Sequence, residues 1–323
     1  MIRAWAAWAA LGCAALCAPA QAQDTGDNAY ARMQALDAHI QTIGWRLVSS
    51  NAPFCKRTHP AIGLLLSDSK SWKDPEAMQA ALGLSNEISV GAVAAGSPAW
   101  AAGLQSRDPV LALAGMDRFP ESKAGDYRRL TALHDRIDKA LQDKGTLSIT
   151  VDRASGAKTL SIPAETVCAS RFEITSNGRS AKADGQRVLV SESLVDELTD
   201  EETLAAAIAH ELAHNLLRHP QKRTEEGKGW GKIRHNEREA DRLSVWLLAN
   251  AGYDTDAAVR FQHDWIRPRD QGIFAPTHDA WDERIEIIEQ ERALIADLAA
   301  QGTPPGSFDW SGRFPMRRED AKP

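Results

Sequence analysis

Asp200-Glu201-Glu202-Thr203-Leu204-Ala205-Ala206-Ala207-Ile208-Ala209-His210-Glu211-Leu212-Ala213-His214 combines a helix start, an apolar stripe and two histidines four residues apart. Thr199-Asp200-Glu201-Glu202 reads as a capping box, and Leu204, Ala207, Ile208, Leu212 and Leu216 follow at helical spacing, so a helix is expected from near Asp200 to about Arg218. At about 3.6 residues per turn, residues four apart share a face, and the His210 and His214 imidazoles can hold one cation between them. Glu211 stands one residue round from His210, where its carboxylate can reach a water on that cation as a general base without being a ligand. Most solitary histidines are satisfied core or surface groups. Two histidines and a glutamate set into an apolar helix are costly to bury without a partner, and a metal supplies one.

A catalytic zinc takes three protein ligands and keeps a position open for water, so a third ligand is expected downstream. Asn236-Glu237-Arg238-Glu239-Ala240-Asp241 supplies candidates and opens a second helix that ends near Ala251, with Gly252 as its stop. Glu237 and Asp241 are again four apart, so one can bind metal while the other accepts a hydrogen bond from a ligand histidine and fixes its tautomer. Glu239 points elsewhere and reads as a solvated charge. Gln221 to His235, with Gly227, Gly229 and Gly231, reads as a polar loop bordering the substrate cleft. His219, His235 and His263 read as surface or helix-end residues, and His39, His59 and His134 lie outside the motif region.

The pairing of His210-Glu211-x-x-His214 with Glu237-x-x-Ala240-Asp241 resembles the gluzincin metallopeptidases of family forty-eight, which include the membrane-bound CAAX prenyl proteases, HtpX and the soluble periplasmic BepA-like enzymes. The resemblance implies an α+β fold, a mainly helical zincin-type metallopeptidase domain with a small β-sheet. It also implies one Zn2+ per chain held by His210, His214 and Glu237, with Glu211 as base and Asp241 behind a ligand histidine. Arg187 to Asp196 resembles the family's strand and turn before the motif helix. Ala251-Gly252-Tyr253-Asp254, Thr277-His278 and Glu283-Arg284-Ile285 resemble its C-terminal portion. His278 is thereby implied near the metal or the transition-state oxyanion, with capping of the last helix as the equal alternative; His278-Asp279 stands where the family often has His-Pro. Arg284 is either a partner for a carboxylate near the site or an exposed helix charge. The resemblance also places an extended substrate along an edge strand near Val188 to Val190.

From Pro60 to about Thr166 the pattern changes to short strands and turns. Ile62 to Leu66, Ile88 to Val93, Val110 to Ala114, Leu147 to Val151 and Thr159 to Ile162 are strand candidates, and Lys123 to Asp143 is a helix. Gly96-Ser97-Pro98-Ala99, Ala102-Gly103-Leu104 and the run from Asp108 to Gly115 resemble a bacterial-type PDZ domain, a β-rich module inserted into the peptidase. Such modules add a peptide as an extra strand and hold its terminal carboxylate on backbone amides. The resemblance assigns that loop to Ile62-Gly63-Leu64-Leu65, although Arg107 stands where a turn glycine is usual. A module that only braces the peptidase is the alternative. Asn28 to about Ser50 reads as a helix, with Met33, Leu36, Ile40, Ile43 and Leu47 at helical spacing, and the resemblance packs it on the peptidase domain.

The resulting plan is a leader at 1–22, the first peptidase helix at 28–55, the PDZ-like module at 56–168, the metallopeptidase domain at 169–302 and a poorly packed tail at 303–323. Met1-Ile2-Arg3, the apolar run to about Pro19 and Ala20-Gln21-Ala22 form a secretory signal, which implies a periplasmic or extracellular protein. Lipid attachment at Cys13 is disfavoured by the very short apolar region before it. No other stretch is apolar enough over the length of a bilayer, so no integral span is expected in the mature chain. The net charge is −6, or −7 once Arg3 leaves (37 basic against 44 acidic residues), with signs mixed, which argues against a nucleic-acid partner. Cys13 and Cys17 leave with the leader. Cys55 and Cys168 flank the inserted module and are expected to form a disulfide, with two free thiols as the alternative.

These features imply an exported zinc metalloendopeptidase acting on protein or peptide substrates, and the resemblance points to envelope protein quality control. Two other readings remain: a PDZ peptide-binding or chaperone-like protein with a gated or non-catalytic zinc, and an amidase acting on cell-wall peptides. A purely structural zinc would be closed by four ligands and needs no glutamate base.

Overall fold

The computed structural model of the chain describes residues 27–227, 229–269 and 281–314. The expected leader and the Thr277-His278 segment, with the role assigned to His278, lie outside these residues.

Two hydrophobic cores divide the described residues. The first is built round helix α6 (Glu201–Leu216), whose N-cap Asp200 accepts from the Thr203 backbone N–H at 3.1 Å and from its hydroxyl at 2.7 Å. Thr203 to His210 are all buried, so α6 is enclosed on every side rather than along one stripe. Ala205, Ala206, Ala207 and Ala209 make this possible, because small side chains let neighbouring backbones come close. The neighbours are α1 (Asp27–Ser50), α8 (Trp230–Ala251), α9 (Asp256–Phe261) and a three-stranded sheet. Ile40, Ile43 and Leu47 of α1 join this core across a sequence gap longer than the inserted segment. The helix α10 (Trp281–Ala300) packs on α8, where buried Glu291 accepts from Arg242 Nε at 2.6 Å and Trp246 Nε1 at 2.8 Å.

The second core lies between β2 (Leu64–Asp68), which pairs antiparallel with β3 (Ile88–Val93), and the meander β4 (Val110–Leu113), β5 (Thr146–Val151) and β6 (Lys158–Pro163), covered by α4 (Arg128–Lys144). The strand expectations fall on these elements to within a few residues. The segment Ser67 to Gly83 holds a helix, α2 (Pro75–Leu82), started by Asp74 accepting from Ala77 N–H at 2.9 Å and stopped by left-handed Gly83. A short α3 (Pro98–Ala101) follows the turn at Gly96. Arg107 does occupy a left-handed position, φ 73°, and its Nε donates to Gln34 Oε1 of α1 at 2.8 Å.

The two cores are joined by β1 (Thr58–Ala61) and β7 (Glu165–Cys168), an antiparallel pair that carries the chain out of the first core and back. The Cys55–Cys168 disulfide closes this crossing, with the Cα atoms 5.5 Å apart.

Three expectations are corrected. In the first core's sheet, β10 (Arg187–Ser191) lies in the centre, parallel to β8 (Arg171–Thr175) and antiparallel to β9 (Ala181–Ala183). Both edges of β10 are already paired, so no substrate can pair along Val188 to Val190; the edge strand beside α6 is β9. Ala181-Lys182-Ala183 lacks the β-branched residues that announce a strand, which is why it escaped notice. Second, Gln221 to His235 is mostly helical. Arg218 turns the chain in a left-handed conformation, Pro220 opens α7 (His219–Glu226), and α8 begins at Trp230 rather than Asn236. Third, residues 303–314 are not a loose tail. Phe308, Trp310 and Phe314 are buried, the side chain of Asn250 exchanges hydrogen bonds with the Phe308 backbone, and Trp310 Nε1 donates to Asn51 Oδ1 at 3.0 Å.

Candidate metal centre

The sheet leads directly into the site. After β10 come α5 (Glu192–Glu197) and the cap of α6, whose third turn carries His210 and fourth carries His214. Facing them, α8 presents Glu237 and Asp241 one turn apart. His210 Nε2 lies 3.2 Å from His214 Nε2 and 3.4 Å from Glu237 Oε2, and His214 Nε2 lies 3.6 Å from Glu237 Oε1. Ligand atoms at about 2.0–2.1 Å from a tetrahedral zinc stand roughly 3.3 Å from one another. The observed separations of 3.2–3.6 Å match that spacing. Two imidazole nitrogens and a carboxylate oxygen converging on one point are an arrangement that one cation satisfies together. The donor set therefore fits zinc.

Behind the donors stands a buried ionic cluster. Asp241 Oδ1 lies 3.0 Å from His210 Nδ1, off the line of a straight hydrogen bond, and also accepts from Gln262 Nε2 at 3.1 Å. Arg284 from α10 grips Asp241 through Nε and Nη2 and reaches within 3.7 Å of Glu237 Oε2. Its side chain is only 3 % exposed, so of the two readings of Arg284 the partner for a carboxylate is the one found.

The electrostatics follow from this arrangement. Burial opposes charge on His210, but Asp241 and Glu237 outweigh it and raise its pKa to about 10. In His214 burial prevails and lowers the pKa to about 4. Burial works to raise Glu237, yet His214, His210 and Arg284 hold it well below the ordinary carboxylate range. Asp241 is likewise lowered, against its burial, by Arg284 and His210. Both carboxylates are thus anionic and ready to compensate a cation. Glu211, partly exposed on the same helix, is near enough to act electrostatically on His214.

Two residues set aside on sequence belong here. His219 is fully buried, with Nδ1 2.9 Å from His214 Nδ1, and Glu239 lies 3.4 Å from His219 Nε2 and 3.2 Å from His235 Nε2. On a continuous helix His219 would point about 140° away from His214. The turn at Arg218 folds it back instead.

The loop Ile62-Gly63-Leu64-Leu65 is placed elsewhere. It lines a cavity of about 70 Å3 with His134, Ile137 and Leu141 of α4 on one side and Gln41, Trp45 and Phe172 of the first core on the other. Gly63 is left-handed and lies against Ser97, where any Cβ would collide at 2.3 Å. His134 Nε2 takes up the Leu66 backbone N–H at 3.4 Å.

Residues 177–233 match the family described as Peptidase family M48. No curated protein matches the chain. The matched segment runs from before β9 to the first turn of α8; it includes His210, Glu211 and His214 and stops short of Glu237 and Asp241. Among the described residues His210, His214 and Glu237 form the one cluster of three or more metal-binding side chains, and no helix is long and apolar enough to cross a membrane. The likeness to the M48 peptidases thus covers the segment that carries His210, Glu211 and His214, and Glu237 completes the cluster from outside it.

Proposed function

We propose that the chain is an exported zinc metalloendopeptidase that cuts protein substrates, with envelope protein quality control as its setting. The observation that carries this reading is the convergence of His210 Nε2, His214 Nε2 and the Glu237 carboxylate at separations of 3.2–3.6 Å. Zinc bound by these three residues supplies a Lewis acid that lowers the pKa of water and polarises a peptide carbonyl. Glu211 receives the proton of the attacking water and returns it to the nitrogen of the leaving amine. Asp241, fixed by Arg284, stands 3.0 Å from His210 Nδ1, and its charge favours the ring orientation that turns Nε2 toward the donors. Among the described residues no strand pairs with the outer edge of β9, which borders α6, and an extended substrate is placed along that edge. Export accords with the Cys55–Cys168 disulfide.

Zinc removal and replacement tests this reading. A chelator should abolish cleavage of an unfolded protein and added zinc should restore it, while Glu237→Ala should neither hold zinc nor cleave. Full cleavage by the zinc-free protein would refute it.

For the segment 56–168 the bracing reading is favoured over peptide capture. The cavity at Ile62 to Leu65 is walled by α1 and β8, and the Arg171–Asp138 ion pair ties β8 to α4 across it.

A further inference from the structure

We infer that His219 and Glu239 form a positioning pair for His214, matching on its far side what Asp241 and Arg284 do for His210. This inference rests on the zinc reading above. The argument is a proton count. His214 Nε2 points at His210 and Glu237, so that nitrogen must present its lone pair to a metal, and the ring proton sits on Nδ1. His214 Nδ1 is 2.9 Å from His219 Nδ1, a distance at which one nitrogen donates and the other accepts. His219 Nδ1 is therefore the acceptor, its own proton lies on Nε2, and that N–H faces the Glu239 carboxylate at 3.4 Å. His219 is a neutral imidazole that passes the orientation set by Glu239 to a ligand it helps to aim.

The placement is specific. His219 has no exposed surface, its ring meets that of His214 edge to face with centroids 4.9 Å apart, and the left-handed Arg218 and the Pro220 start of α7 set its position. Glu239 is held from a second side by His235 Nε2 at 3.2 Å. Residue types that can only fill space would not place an acceptor at that point. Neither residue touches substrate in this account; both act through His214.

Zinc affinity, measured by competition with a chromogenic chelator, tests the pair without reference to activity. His219→Phe fills the volume but offers no acceptor and should bind zinc about 10- to 100-fold more weakly. His219→Gln, whose amide oxygen can accept from His214 Nδ1–H, should recover most of that loss. Glu239→Leu, at a less buried position, should weaken zinc in the same direction, and it carries the test if His219→Phe does not fold. Thermal melts without zinc show whether each variant keeps its fold. Wild-type affinity in His219→Phe or in Glu239→Leu overturns the inference, as does a Gln variant as weak as Phe. A wild-type protein that takes up no zinc overturns the metal reading, and this inference with it.

Discussion

Arg284 holds Asp241 by two parallel hydrogen bonds, Nε to Oδ2 at 2.6 Å and Nη2 to Oδ1 at 2.7 Å, and both side chains are almost wholly shielded from water. The pair joins α10 to α8 directly behind the metal donors. Removing one partner of such a pair leaves an uncompensated buried charge, at a cost of about 3–5 kcal/mol. Arg284→Met is therefore expected to lose about that much stability in urea unfolding of the zinc-free protein. Arg284→Lys keeps the charge without the fork and should lose less. A loss below about 1 kcal/mol for the Met variant would show that the pair is not held as described.

Asp37 gives a pH dependence of uncommon sign. Burial raises its carboxyl to about 7, with Glu173 and Glu192 adding to the shift and the hydrogen bond from Ile174 N–H opposing it. Between pH of about 4 and 7 the folded protein keeps a proton that the unfolded chain has released, so this group's contribution falls as pH rises through that window. Asp37 retains some exposure, so the loss is about 1–2 kcal/mol rather than the full value of the shift. Asp37→Asn, whose amide oxygen still accepts from Ile174, should be more stable than wild type at pH 8 and nearly equal to it at pH 4. Equal melting temperatures at pH 8 would contradict this.

The Cys55–Cys168 disulfide closes a loop with a sequence separation of 113 residues. Loops of that length constrain the unfolded chain strongly, and removing both cysteines is expected to cost about 2–4 kcal/mol. Urea unfolding of the Cys55→Ser, Cys168→Ser double variant measures it. A midpoint unchanged from wild type would mean that the crossing at β1 and β7 holds without the bond.

The segment after Gly302 makes a comparable prediction. Trp310 is buried and its indole N–H is bonded to Asn51, so Trp310→Ala should destabilise the first core by about 3–5 kcal/mol. Urea unfolding measures it, and a loose tail would show almost no change.

How much of this was written in the sequence depends on the range of the interactions. The four-residue spacing of His210 with His214 and of Glu237 with Asp241 is a local property of helices, and it announced the donors before any fold was known. The strands of the second core were legible because Ile88 to Val93 and Leu147 to Val151 carry β-branched and aliphatic residues between clear turns. Tertiary placement was not legible. His219 joins His214 only because Arg218 bends the backbone, and two residues of helix set Glu239 about 200° from Glu237, toward a partner the sequence does not name. Phe308 and Trp310 are two apart and Trp310 and Phe314 four apart, so the three follow no single period, and they are buried in the first core with partners at Asn250 of α8 and Asn51 just after α1, far away along the chain. The interior position of β10 depended on a three-residue strand of alanines and lysine that has no pattern to read.

The central claim is that three residues hold one zinc while Glu211 serves as base. Its most direct test compares the purified protein with Glu211→Gln, measuring zinc content and cleavage of an unfolded protein side by side. The prediction is one zinc per chain in both, with cleavage in the variant reduced by about 10²- to 10⁴-fold. Cleavage by Glu211→Gln at the wild-type rate, or by a wild type that carries no zinc, would contradict the account.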